Sequence, residues 1–212
     1  MFKPNEPISF YTHFAGVMLS VAGTAYLLIR SYGNTPTFIT LLIYCVSVML
    51  LFTASSLYHA LKSGENDNSI FRKLDHLAIF FMIAGTYTPP TYAYLTGGWL
   101  IGVLTAQWAL VLFGVFFKFF YLSAPRFLST VIYVLMGWLA IIPIHKFFIA
   151  MPIAMFALFI AGGLAFTAGA VIYAVKKPDP CPGMFGFHEI FHLFILAGAS
   201  IQFAGMLFLL PA

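Results

Sequence analysis

The chain has 212 residues, of which 62% are hydrophobic and 8% charged, where an average soluble domain has about 25% charged. So few charges cannot cover a water-soluble surface, because exposed apolar area of that extent drives association. The net charge of +4 lies in short segments between apolar runs and calls for no nucleic-acid partner.

The apolar surface must face lipid, and the chain divides into bilayer spans of about 20 residues. Cutting it at its charges predicts seven, in one membrane domain over residues 1–212. The first covers 8–29, ending at Arg30, and the second 37–61, ending before the charged stretch 62–67. The run after Arg72 and Lys73 is too long for one crossing. Pro89-Pro90 and Gly97-Gly98 supply the break, giving spans at 74–95 and 99–117. The fifth covers 127–144, between Arg126 and His145-Lys146. The sixth covers 150–175, and a Pro-rich linker from Pro178 leads to the seventh at 185–210. The first apolar run is too long for a signal h-region and no small-residue cleavage site precedes Arg30, so it reads as a retained span. Cys45 within a span and Cys181 in a loop are not expected to form a disulfide.

With seven spans, the N-terminus and the loops after spans two, four and six share one side. That side holds Lys3, Lys62, Arg72, Lys73, Lys118, Arg126, Lys176 and Lys177, and the other only Arg30 and Lys146. The positive-inside rule then puts the N-terminus in the cytoplasm and the C-terminus outside.

Ionisable side chains within spans are costly and usually mark function. Span two ends Ser55-Ser56-Leu57-Tyr58-His59, span three begins Leu74-Asp75-His76, and span seven begins with His188 and His192. Ser55 and His59 share a helix face, as do His188 and His192. Alternating span directions bring His59, Asp75, His188 and His192 to one depth on the cytoplasmic side. Three histidines and a carboxylate suit a zinc ion with an open position, as in a catalytic site. Asp75 and His76 point about 100° apart on a helix, and Asp75 is the one expected to face the cluster. His13 and His145 read as packed or snorkelling residues, and Ser56, Tyr58 and Thr86 as helix-packing hydroxyls.

The set Ser55-x3-His59, Arg72-x2-Asp75 and His188-x3-His192, with the stretch Ala84-Gly85-Thr86-Tyr87-Thr88-Pro89, resembles the hemolysin III family of bacterial membrane proteins. That family lies within the PAQR group of adiponectin and progestin receptors. The resemblance covers essentially the whole chain. It implies a bacterial inner-membrane location and a zinc bound by His59, His188 and His192, with Asp75 holding the metal's water and Ser55 nearby. It also implies a relation to alkaline ceramidases, and hence hydrolysis of a lipid amide or ester entering from the inner leaflet.

His188-Glu189-Ile190-Phe191-His192 also reads as H-E-x-x-H. A zincin takes its third ligand from downstream, and this chain has no His, Asp, Glu or Cys after His192. Glu189 is left as a second-shell or base residue. A non-enzymatic protein, receptor-like or cytolytic, with a structural zinc site remains the alternative. Spans six and seven lack the lysine of a retinal protein, and polar residues at one depth argue against a continuous pore.

Overall fold

The computed structural model describes residues 4–64, 69–120, 126–181 and 184–211, with the backbone alone at 126 and 127. Lys3, the 65–67 part of the charged loop, the Arg126 side chain, and Pro182 and Gly183 of the linker lie outside that description. The described residues form α1 (Pro7–Ser31), α2 (Thr35–Leu61), α3 (Ile70–Tyr94), α4 (Gly97–Phe120), α5 (Arg126–Gly137), α6 (Ile144–Ala150), α7 (Ile153–Val175) and α8 (Phe187–Met206). The fold is all-α; among the described residues the one extended pairing is a bridge between Cys181 and Phe185. Cys45 and Cys181 are free thiols.

Local chemistry sets the helix starts. Asn34 accepts from the Thr37 amide at 3.3 Å, with Pro36 in the first turn of α2, and Ser69 accepts from the Arg72 amide at 3.4 Å. Each side chain satisfies a backbone donor that the helix leaves open. Helices α1, α2, α4, α7 and the stretch Phe187–Leu209 are each long and apolar enough to cross a bilayer. Large side chains on their outer faces, such as Ile29 and Leu112 at 73% exposure, have lipid as their natural solvent. Helix α3 is as long, but Arg72, Lys73, Asp75 and His76 make its first turns polar.

The predicted break between spans three and four falls at Gly97, as the sequence suggests, but the prolines take no part in it, and the fifth span carries a bend that the sequence reading does not contain. Pro89 and Pro90 lie inside α3 and not at its end; the chain turns at Leu95–Thr96 into Gly97, which has φ +55°. The fifth span is not one straight helix. Its stretch Leu128–Ile141 meets Ile144–Ala150 at a 52° bend, where a 3-10 segment (Trp138–Ile141) and Pro143 interrupt the α ladder. Backbone groups released there need partners, since lipid offers none. The Tyr87 hydroxyl supplies them, donating to the Gly137 carbonyl at 2.6 Å and accepting from the Ala140 amide at 2.7 Å. Gln107 on α4 donates to the Met136 carbonyl at 3.1 Å.

Small residues let the helices approach, as membrane interfaces favour. A methyl group at Gly85 on α3 would run into the Ser47 side chain on α2, and one at Gly198 on α8 would lie 2.6 Å from the Phe166 ring on α7. One apolar core joins α1, α2, α3 and α8 around Leu41, Phe52 and Met82. A second joins α3, α4 and α5 around Phe80, Val111 and Met136. Between these packed groups runs a cavity of about 430 Å³.

Candidate metal centre

His59 lies in the last turn of α2, and His188 and His192 in the first turns of α8. One potential ligand atom from each falls within 4.8 Å of the other two. The ring centroids are 5.1 Å apart for His59 and His188, and 4.7 Å for each of the other pairs. His59 and His192 are almost fully buried. The i,i+4 spacing stacks His188 above His192 on one face, and the packing of α8 against the end of α2 brings His59 to them.

The start of α1 wraps this cluster. Glu6, just before the helix, accepts from His59 Nδ1 at 2.6 Å and from Lys62 Nζ at 2.5 Å. Its amide donates to the His59 carbonyl at 3.1 Å, and the Asn5 side-chain amide donates to the Lys62 carbonyl at 2.8 Å. Burial pushes the Glu6 carboxyl up, but the hydrogen bonds and charges of His59 and Lys62 outweigh it and bring it down to about 2. A proton fixed on Nδ1 leaves Nε2 of His59 as the ring's lone-pair nitrogen, which is how an outer carboxylate orients a histidine ligand. Ser9 donates to Glu189 Oε1 at 3.1 Å, while Glu189 Oε2 accepts from the Gly186 amide at 2.9 Å. Glu189 thus caps α8 and tethers α1. His13 stacks on His192 at 3.8 Å between centroids, packed as expected, though against the cluster itself.

Asp75 and Ser55 line the cavity beside His188 and His192. Asp75 stands on the α3 wall and is not one of the three converging groups. Its Oδ2 is 3.8 Å from His76 Nδ1, and His76 is turned back to donate to the Arg72 carbonyl at 2.8 Å. Ser55, one turn before His59, is buried. Ser56 donates to the Phe52 carbonyl at 2.7 Å, a helix-packing role as expected. Lys118, expected in a loop, is instead in the last turn of α4, 1% exposed and bonded to Ser129 Oγ at 2.6 Å.

The donor set fits a metal ion: three imidazoles converge, one with its second nitrogen already held by a carboxylate. The cavity beside them is lined along α3 from Arg72 to Pro90, a rise of about 27 Å at 1.5 Å per residue. Its middle is apolar, with Ile79, Met82, Ile83, Ile160, Phe166 and Ile195 on the walls.

Several lipid-length apolar helices around such a cavity, with a largely buried histidine trio at one end, define a multi-pass helical membrane protein. Residues 1–203 match the model of the family described as Haemolysin-III related, and the chain belongs to that family. It is 34% identical over 211 residues to the hemolysin-3 homolog of Bacillus subtilis (strain 168), covering 98% of this chain and 96% of that protein. More distant relatives are adiponectin-receptor proteins of the PAQR group. The heptahelical transmembrane protein ADIPOR2 of Oryza sativa subsp. japonica is 28% identical over 194 residues, 78% of this chain and 79% of the relative. The adiponectin receptor protein of Drosophila melanogaster is 25% identical over 233 aligned positions, 95% of this chain and 50% of the relative.

Proposed function

We propose that the protein is a zinc-dependent hydrolase of a lipid amide or ester, working in the bacterial inner membrane as a seven-span bundle with its N-terminus in the cytoplasm. The observation that carries this reading is the convergence of three histidine nitrogens at one end of an apolar cavity long enough for an acyl chain. The seventh crossing is α3, whose 25 residues rise about 37 Å against a hydrocarbon core of about 30 Å. The name heptahelical, given to the rice relative, supports the same count. The eight-to-two split of basic residues supports the orientation.

His59, His188 and His192 are the residues that would hold zinc, the common ion that three imidazoles favour. When bound, zinc polarises a substrate carbonyl and acidifies water. The chain's own residues supply the remainder. Glu6 holds His59 in one tautomer and one orientation. Asp75 takes the proton of the attacking water and returns it to the leaving amine or alcohol. Ser55 orients that water or donates to the oxygen that gains charge. The apolar walls seat the acyl chain.

The test is metal content by mass spectrometry on protein purified in mild detergent. About one zinc per chain is expected in the wild type, and under about a tenth of that in His59→Ala and His192→Ala. A screen of fatty amides and esters, with and without chelator, follows. A wild type without metal after gentle purification would overturn the reading. The wrapping of the cluster by Glu6, Ser9 and His13 favours a second reading, a structural zinc clamp joining α1, α2 and α8. In that case chelation would lower the thermal midpoint and no lipid in the screen would turn over.

A further inference from the structure

Lys118 is a cation within the bundle that the hydrolytic reading leaves without a task. A lysine near a membrane surface normally extends its ammonium to water. This one turns inward and lines the cavity. Its ammonium donates to Ser129 Oγ at 2.6 Å and lies 5.2 Å from the Phe117 ring centre and 5.6 Å from that of Tyr133. These contacts solvate the charge without neutralising it. Among the described residues no carboxylate lies within ion-pair distance of it.

The charges around the cavity sort by wall. Three cations (Lys62, Arg72, Lys118) and three carboxylates (Glu6, Asp75, Glu189) line it. Glu6 is committed to Lys62 and His59, and Glu189 to Ser9 and the Gly186 amide at the start of α8. Among the described lining residues, Asp75 is then the carboxylate left to face Lys118. Arg72 and Asp75 are three residues apart, on one face of α3. Among the described lining residues, the wall built by α3, α4 and α5 therefore carries two cations and one carboxylate, with the hydroxyls of Ser129 and Thr130 beside them. An excess buried charge is costly unless something pairs with it.

We propose that Lys118, with Arg72, Ser129 and Thr130, forms an anion-binding site that seats the charged head of an amphiphile, a carboxylate or a phosphate ester, while its chain lies along the apolar cavity. The site extends the hydrolase reading and rests on it only for the notion that a chain-bearing molecule enters. It names the substrate or product as anionic.

The experiment measures binding of dodecanoate, dodecyl phosphate and dodecanol to the full-length protein in phosphatidylcholine nanodiscs, by displacement of a fluorescent fatty acid. Both anions are expected to bind about tenfold or more tightly than the alcohol, the scale of one hydrogen-bonded charge. Lys118→Met should remove that preference and leave dodecanol unchanged, and Lys118→Arg should keep it. Should Lys118→Met fail to fold, Ser129→Ala and Arg72→Gln give the same readout through a smaller loss. A stronger response to dodecanoate points to a fatty-acid product, and one to dodecyl phosphate to a phospholipid head. Repeating the series after chelation separates the two readings. A preference that survives chelation while no lipid is hydrolysed sinks the hydrolase and keeps the anion site. A preference that disappears on chelation, or is indifferent to Lys118→Met, overturns the anion site.

Discussion

The two walls of the cavity are built on different principles. On the wall made by α1, α2 and α8, each carboxylate is bonded through both oxygens. Glu6 bridges His59 and Lys62, and Glu189 bridges Ser9 and Gly186. The histidine rings pack at centroid separations of 3.8 to 5.1 Å. On the wall made by α3, α4 and α5, His76 turns back to its own helix, and Lys118 rests on a hydroxyl and two aromatic faces. The first wall fixes nitrogen positions through a carboxylate frame, as ligand geometry requires. The second offers charge that a visiting group can meet. On the proposed reading, a reactive site and a recognition site share one volume without sharing residues.

The contrast can be broken at its sharpest point by Asp75→Asn. If Asp75 moves protons and the histidine wall alone holds metal, this variant retains full metal content while hydrolysis of a lipid substrate falls about 10²- to 10⁴-fold. Full hydrolytic rate with full metal would remove Asp75 from the chemistry. A smaller effect is expected on the other wall. Glu6→Gln keeps the shape but weakens the acceptor for His59, so zinc affinity measured by competition with a chelator should drop about 10- to 100-fold. Glu6→Asp should restore part of it. An unchanged affinity would mean that the carboxylate frame serves only to dock α1.

The smallest effect concerns pH. Glu6 stays ionised in the folded protein down to about pH 2, well below its ordinary 4.5. Its contribution to stability is therefore complete above pH 4.5 and is lost as pH falls towards 2. In metal-free protein, the gap in thermal midpoint between wild type and Glu6→Gln should be constant from pH 7 to 5 and narrow by pH 3. A gap that widens on acidification would contradict the Glu6 contacts.

Much of this was legible in the sequence because lipid punishes charge. Cutting the chain at Arg30, the 62–67 stretch and Lys176-Lys177 located helices to within a few residues, and the i,i+4 pair His188 and His192 announced a shared face. Other features were not legible for identifiable reasons. Pro89 and Pro90 read as a break, yet neighbouring helices can support prolines inside a membrane helix. The bend near Pro143 was hidden because Tyr87, more than fifty residues earlier, supplies the partners that make it tolerable. Glu6 stood among leading residues that looked like a mere flank, although it is one of only six acidic residues in the chain. Lys118 was counted as a loop charge, since only packing tells an inward lysine from an outward one.

The hydroxyl of Tyr87 gives the bend after α5 a mechanical character. With the Gly137 carbonyl and the Ala140 amide bonded to it, straightening the segment would break both hydrogen bonds to the Tyr87 hydroxyl. The segment is an elbow set in place. Ile144, Phe147 and Met151, just beyond it, line the far end of the cavity. For an acyl chain lying inside, that corner is an end stop, a gauge of length held at a fixed distance from the histidines.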